Sequence, residues 1–407
     1  MKKLLLLVVV LLVGLVPVAV EAQDIAVLSS SAVPSFPLSL EFRVRAQSSA
    51  EINFVVLHYQ VERLNYARVT SEVRPRFKPG STVEATWRWD MRLGGGLPTG
   101  ARLKYWWTVG DAAGRKLVTE PKTFEFNDER YKWRSLTAGS VTLSWYEGDE
   151  AFARELLNAV QASLDRLGRD MGARLERPVR AFIYASGRDL QGALVYPVGW
   201  EGGVAISEFG TVMIGIPTSE LAWGKRAIAH EITHLLVGQV TFSPYADLPI
   251  WLNEGLAMYG EGPLEQGYAS LLQQAISQKT LISVRSLSAP FSTDPRLAVQ
   301  SYAQSEALVE FLLTKYGRDK LLALLDTFKQ GATFDGALKS VYGFDLDGLD
   351  KLWRDSLETR KTTASLPLRP RANELAQRPV PALPAAAWGL LVFPGVLAFG
   401  YSVRRRR

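Results

Sequence analysis

Hydrophobic and polar positions follow two different periods along this chain, and the change falls near residue 149. Before it the period is two. Leu38-Ser-Leu-Glu-Phe-Arg-Val-Arg45 alternates apolar and polar side chains, as a half-buried strand does. Ile52–Val61, Val83–Trp89, Leu103–Val109 and Lys122–Phe126 read as further strands, separated by turn signals such as Pro79-Gly80, Gly94-Gly95-Gly96 and Pro98-Thr99-Gly100. Short strands at this spacing predict an all-β, immunoglobulin-like sandwich over residues 23–128. Trp87, Trp89, Trp106 and Trp107 are expected in its core and at its edges, and His58 lies within a strand as a structural residue.

A junction and one strand, Val141–Tyr146, lead to the second period. From Asp149, an N-cap residue, apolar positions Phe152, Leu156, Leu157, Val160, Leu164 and Leu167 recur every three or four, and Gly172 ends the run. Val179–Tyr184 reads as a buried strand, and Val204–Ser207 with Thr211–Ile216 as a hairpin around Glu208-Phe209-Gly210. A helix is predicted from Ser219 to a stop at Gly238, with Ile228, Ile232, Leu235 and Leu236 on one side. Helices follow around 251–259, 268–277, 300–316, 320–329, 334–341 and 346–358. The fold class is therefore α+β, with a sandwich, a small mixed sheet and a mainly helical C-terminal part.

The two ends carry signals of another kind. Residues 1–22 begin with Lys2 and Lys3, continue as an apolar run and end Val20-Glu21-Ala22, the form of a cleavable signal peptide. Prolines recur through 362–384, an extended linker, and 385–403 form an apolar segment long enough for a transmembrane helix before the basic tail 404–407. Arginines at that end are expected to stay in the cytoplasm and the rest of the chain outside, as in a single-pass membrane protein. A cleavable sorting tail is the alternative reading. The two ends account for +5 of the net charge of +6, so the basic balance says nothing for nucleic acid as a partner. There is no cysteine, which excludes disulfides and thiolate metal sites.

Candidate chemistry concentrates in the helix after Ser219. Two of the three histidines of the chain occur in His230-Glu231-Ile-Thr-His234. Positions i and i+4 share a helix face, so both imidazoles can meet one ion, with Glu231 at the edge of that face. A hydrolytic zinc site takes three protein ligands. Without cysteine the third must be a carboxylate, and Glu254 in Pro249-Ile-Trp-Leu-Asn-Glu-Gly255 is the strongest candidate.

These residues resemble the gluzincin, thermolysin-like zinc metallopeptidases, in particular the peptidase MA-like proteins of bacterial envelopes. The resemblance covers roughly Val141 to Leu357 and implies a zincin domain over residues 129–361. It assigns His230, His234 and Glu254 as ligands of Zn2+, Glu231 as general base and acid, and Tyr302 as an oxyanion stabiliser. It implies peptide or protein substrates, cleaved as by an endopeptidase, since no Gly-x-Met-x-Asn segment is present to hold a free amino end. One position departs from the family. Where a carboxylate four residues after Glu254 orients a ligand histidine, this chain has Met258, leaving Asp247 or Asn253 for that task. The strand Thr211–Ile216 offers an edge for an extended peptide. The reading from another class is a non-catalytic envelope protein that binds or adheres through a peptidase-like domain.

Overall fold

The computed structural model describes residues 25–364 apart from 65, 95, 198–201 and 246. The expected signal peptide 1–22, the apolar segment 385–403, the tail 404–407 and most of the linker lie outside the described residues. No described helix is long and apolar enough to cross a membrane.

The N-terminal strands are β1 (Ala26–Ser35), β2 (Ser39–Val61), β3 (Ser71–Val73), β4 (Gly80–Asp90), β5 (Ala101–Asp111), β6 (Lys116–Val118) and β7 (Lys122–Phe126). They form one antiparallel sheet of seven strands. The sandwich expected from strand spacing thus differs in one respect: a single strand belongs to both layers. The first half of β2 pairs with β1 and β4, its second half with β3 and β5. Between Gln47 and Ile52 the register shifts, and small residues Ser48-Ser49-Ala50 occupy the bend. Leu40, Phe42, Val44 and Ala46 then face Leu57, Leu103, Tyr105 and Trp107 in one core, Phe42 meeting Tyr105 edge-on with ring centroids 5.2 Å apart. Trp87 and Trp89 stack at the margin of this core at 6.1 Å. His58 stacks on Trp106, and its Nε2 lies 2.8 Å from the Thr108 hydroxyl. It is a structural residue, as its strand position implied.

The second sheet contains β8 (Arg134–Ala138), β9 (Val141–Trp145), β10 (Val179–Tyr184), β11 (Gly203–Ile206) and β12 (Thr211–Gly215), in the order β11-β12-β10-β9-β8. β10 runs parallel to β9 and β12, while β8 and β11 are antiparallel edges. Helix α1 (Glu150–Met171) is capped by the Asp149 carboxylate, which accepts from Phe152 N at 2.9 Å, and ends at Gly172 with φ +70°. Short helix α2 (Gly187–Gln191) follows β10. Helix α3 (Leu221–Val240) lies with α1 against the sheet, Leu156 and Val160 sharing a core with Ile228, Ile232, Ile183, Val212 and Ile214.

The sequence placed both ends of α3 differently. A 3-10 turn over Thr218–Glu220 absorbs Ser219, so the helix starts later, and it runs through Gly238. A Cβ on Gly238 would stand 2.6 Å from the Ser207 hydroxyl, so this glycine serves close packing and not a stop. The hairpin strand also changes role. β12 is paired on both sides, by β10 and β11, and has no backbone free for a peptide; among the described residues the edge on this side of the sheet is β11.

The remainder is helical: α4 (Ile250–Glu261), α5 (Gln266–Gln278), α6 (Val284–Leu287), α7 (Pro295–Tyr316), α8 (Arg318–Lys329), α9 (Phe334–Tyr342) and α10 (Leu346–Ala364). Their apolar faces build one core with the outer side of α3, through Leu236 and Val237. Helix α10 continues past residue 362, where the linker was expected to begin.

Candidate metal centre

Helix α3 has no solvent face at its centre. Its Ile228–Ile232 stripe faces the sheet, Leu236 and Val237 face the helical core, and the flank between them carries His230 and His234. That flank meets α4. Two glycines set how closely the helices pack. A Cβ on Gly260 would lie 2.1 Å from Thr233 Oγ1 of α3, and one on Gly255 would lie 2.3 Å from the Ser305 carbonyl of α7. Only glycine permits this approach, and Glu254, next to Gly255, is thereby carried to the histidines.

The structure brings His230, His234 and Glu254 together, one candidate ligand atom from each lying within 4.8 Å of the others. Glu254 Oε2 is 3.3 Å from His230 Nε2 and 3.6 Å from His234 Nε2. All three side chains are buried. The Nε2 atoms of both histidines, both oxygens of Glu254 and both oxygens of Glu231 are buried without a hydrogen bond. Each such group costs about 1–3 kcal/mol when left unsatisfied. Six orphaned atoms on adjacent residues therefore fit a group that belongs among them. Two imidazole nitrogens and a carboxylate are the donor set of a borderline divalent cation, and a metal ion meets that description.

The remaining ring nitrogens fix the tautomers. His234 Nδ1 lies 3.2 Å from Asn253 Oδ1, and His230 Nδ1 lies 2.8 Å from Glu261 Oε1. In the neutral rings each Nδ1–H donates, which leaves Nε2 with its lone pair toward the shared point. Of the two groups weighed at sequence level, Asn253 has this task, whereas Asp247 is exposed. Glu261 stands seven residues after Glu254, outside the four-residue spacing that the family resemblance supplies. At 100° per residue, a side chain seven positions on returns to within about 20° of its starting direction, closer than one four positions on. Arg226 holds the far oxygen of Glu261 at 2.9 Å.

Electrostatics follow from this packing. Burial by itself lowers the pKa of His230, but the Glu254 and Glu261 carboxylates override it and hold it up at about 10. Burial pushes His234 down. Glu231 is raised by burial to about 7, with His230 opposing the rise and Glu254 and Glu261 adding to it. Such a carboxyl can both accept and release a proton near neutrality. Gly203, the first residue of β11, faces it: a Cβ there would be 3.0 Å from Glu231 Oε1. Tyr302, on α7, is buried with its ring centroid 6.3 Å from that of His230 and its other side against Phe291 at 5.2 Å. All five residues singled out in the sequence, His230, Glu231, His234, Glu254 and Tyr302, thus lie around one centre.

Residues 159–359 match the family model described as the Peptidase MA superfamily, in agreement with the gluzincin resemblance of the sequence. No curated protein matches the chain. Solved structures with similarity include a carbohydrate-binding module family 56 β-1,3-glucan binding domain, 21% identical, covering 25% of this chain and 99% of that chain with a TM-score of 0.16. Wild type OgpA from Akkermansia muciniphila is 13% identical over 26% of this chain and 28% of that chain, with a TM-score of 0.20. A GH family 64 laminaripentaose-producing β-1,3-glucanase from Paenibacillus barengoltzii is 19% identical over 31% of this chain and 27% of that chain, with a TM-score of 0.17.

Proposed function

Since residues 159–359 match the family model of the Peptidase MA superfamily, we propose that the protein is an exported, membrane-anchored zinc endopeptidase of gluzincin type. The observation that carries this reading is the set of orphaned buried atoms on His230, His234, Glu254 and Glu231. His230, His234 and Glu254 would hold Zn2+. A zinc ion there supplies Lewis acidity toward a carbonyl and acidifies a coordinated water to near neutrality. Glu231 is the group that takes the proton of the attacking water and passes it to the departing amine, a task its raised pKa suits. Tyr302 donates its hydroxyl to the carbonyl oxygen as negative charge develops there. The open edge of β11 accepts an extended peptide by main-chain pairing, with side-chain-free Gly203 leaving Glu231 room to reach it.

The basic-then-apolar run 1–22 and the apolar segment 385–403 with its arginine tail 404–407 support the location: catalytic domain outside the bacterial cytoplasmic membrane, one span, arginines inside. The decisive experiment is metal analysis of the purified protein with cleavage of a broad peptide library. We expect about one zinc per chain, and cleavage that Glu231→Gln abolishes with zinc retained. A protein that holds no stoichiometric zinc refutes the proposal. Zinc without cleavage of any peptide moves the reading to a binding or adhesion protein with a peptidase-like domain.

A further inference from the structure

The tip of the β11–β12 hairpin does not end in solvent. Phe209, in the turn, is 8% exposed and belongs to the hydrophobic core of the N-terminal sheet, with Arg63 over its ring at 5.7 Å. Neighbouring backbone and side chain make the same connection: Leu64 N donates to the Glu208 carbonyl at 2.6 Å, and Arg63 Nη1 lies 3.5 Å from the Glu208 carboxylate. The chain leading into β11 is held by the same part of the molecule. Val195 packs on the N-terminal core, the backbone of Gly96 presses against it, and the Tyr196 hydroxyl donates to the Arg92 carbonyl. β11 lies between these two anchorages. Gly203 at one end of that strand faces Glu231, a Cβ there falling 3.0 Å from Oε1, and Ile206 at the other leads straight into the Phe209 plug.

An edge strand of four residues with one neighbour frays unless something else holds it. Its span from Gly203 to the turn is roughly 13 Å at the usual rise per residue, too short to absorb a shift at the tip without passing it to Gly203. We infer that the N-terminal β domain braces the strand edge along which a peptide would bind, with Phe209 as a positioning residue that sets where β11 lies. The inference rests on the peptidase reading for its consequence on substrate, since a peptide paired along β11 would run from Glu231 toward the β domain.

The test uses the full chain loaded with zinc and the variants Phe209→Ala and Phe209→Leu. Four quantities are measured: zinc content, hydrogen exchange of the Val204–Ile206 amides, and kcat and KM for two substrates, one an extended peptide and one too short to lie along β11. For Phe209→Ala we expect exchange over 204–206 faster by tenfold or more with α3 unchanged. KM for the extended peptide should rise tenfold or more, while kcat, zinc content and turnover of the short substrate stay within twofold. Phe209→Leu, which refills the plug, should recover most of the KM. Unchanged exchange over 204–206 overturns the inference, as does a loss shared equally by both substrates or tied to loss of zinc. A wild-type protein that cleaves nothing defeats the peptidase reading, and the exchange measurement still decides whether Phe209 sets the edge strand.

Discussion

Removing the carboxylate behind His230 tests the electrostatics of the centre most sharply. Glu261 is 95% shielded, its side chain 5% exposed, and it makes two contacts: His230 Nδ1 at 2.8 Å and Arg226 Nη2 at 2.9 Å. In Glu261→Ala the imidazole loses the acceptor that fixes its tautomer. Loss of such a partner lowers metal affinity about 10–100-fold, which is about 1.4–2.7 kcal/mol. A second effect opposes the first. In the metal-free protein the same carboxylate favours protonated His230, whose pKa stands at about 10, so at neutral pH a metal must displace that proton. Without Glu261 the proton is held less firmly. The net loss should therefore be smallest at low pH and grow as pH rises, because a doubly charged ion gains more from the carboxylate than a single proton does. The assay is competition against a chromophoric zinc chelator between pH 6 and 9. The wild type should gain about tenfold in affinity per pH unit as one proton is released, and Glu261→Ala should give a shallower slope. Glu261→Gln keeps an acceptor for Nδ1–H and should fall between them. Arg226 remains placed by Glu265 at 3.1 Å and by the Pro263 carbonyl at 3.2 Å, so the substitution should not loosen α3. An affinity within threefold of wild type together with an unchanged pH slope would show that Glu261 does not act on the metal centre.

Three further outcomes are expected. Gly255→Ala puts a methyl 2.3 Å from the Ser305 carbonyl, so α4 and α7 must separate; overpacking of this kind costs about 1–3 kcal/mol, and calorimetry should show a lowered Tm together with reduced zinc occupancy, because Glu254 moves with the helix. Metal-free protein should lose stability as pH rises from about 7 to 9. Glu231 and His230 both have folded pKa values above their ordinary ones, at about 7 and about 10, while His234, which burial lowers, opposes them only below its ordinary value; above about pH 7 the folded state therefore holds more protons than the unfolded chain and the slope is negative. Zinc-loaded protein, in which His230 carries no proton on Nε2, should show a flatter profile; equal slopes with and without zinc would contradict the assignment. Glu231→Gln, inactive by expectation, should stabilise the metal-free protein above pH 7 by roughly 3 kcal/mol, the order of the penalty for ionising that buried carboxyl.

How much of this could be read in the sequence depended on whether a feature was local. The cap at Asp149 and the left-handed Gly172 fix α1 within its own residues, and both were legible. The His230–His234 spacing is a property of one helix and was legible too. Features set by contact between elements were not. β12, Thr-Val-Met-Ile-Gly, reads in sequence as a peptide-binding edge, yet every one of its residues is buried, because it lies inside the sheet. β11, Gly-Val-Ala-Ile, is half-buried along most of its length, as an edge is, but it is only four residues long and its signal was folded into the hairpin. β1 escaped because an edge strand with little buried surface shows no clear alternation: Ala26–Ser35 has no fully buried position. Gly238 looked like a stop since a glycine after an apolar run usually is one, and only the Ser207 hydroxyl opposite it explains why the helix goes on.

The same distinction explains Met258. A four-residue spacing from Glu254 requires that the carboxylate behind the histidine come from the next turn of its helix. What the imidazole requires is an acceptor in the plane of its Nδ1–H, and any turn whose direction coincides can provide it. On α4 that turn is the second one, because its chain direction opposes that of α3: Asn253 near its start serves His234, and Glu261 at its end serves His230. Met258, between them, is 2% exposed and packs in the protein interior. A carboxylate introduced at 258 would therefore be buried without the arginine that Glu261 has. Met258→Glu should bind zinc no more tightly than wild type and should unfold at lower temperature by the cost of an unpaired buried charge, several kcal/mol. Tighter zinc binding in that variant, measured by the same chelator competition, would mean that the first turn after Glu254 does face His230 and that Glu261 is not its natural partner.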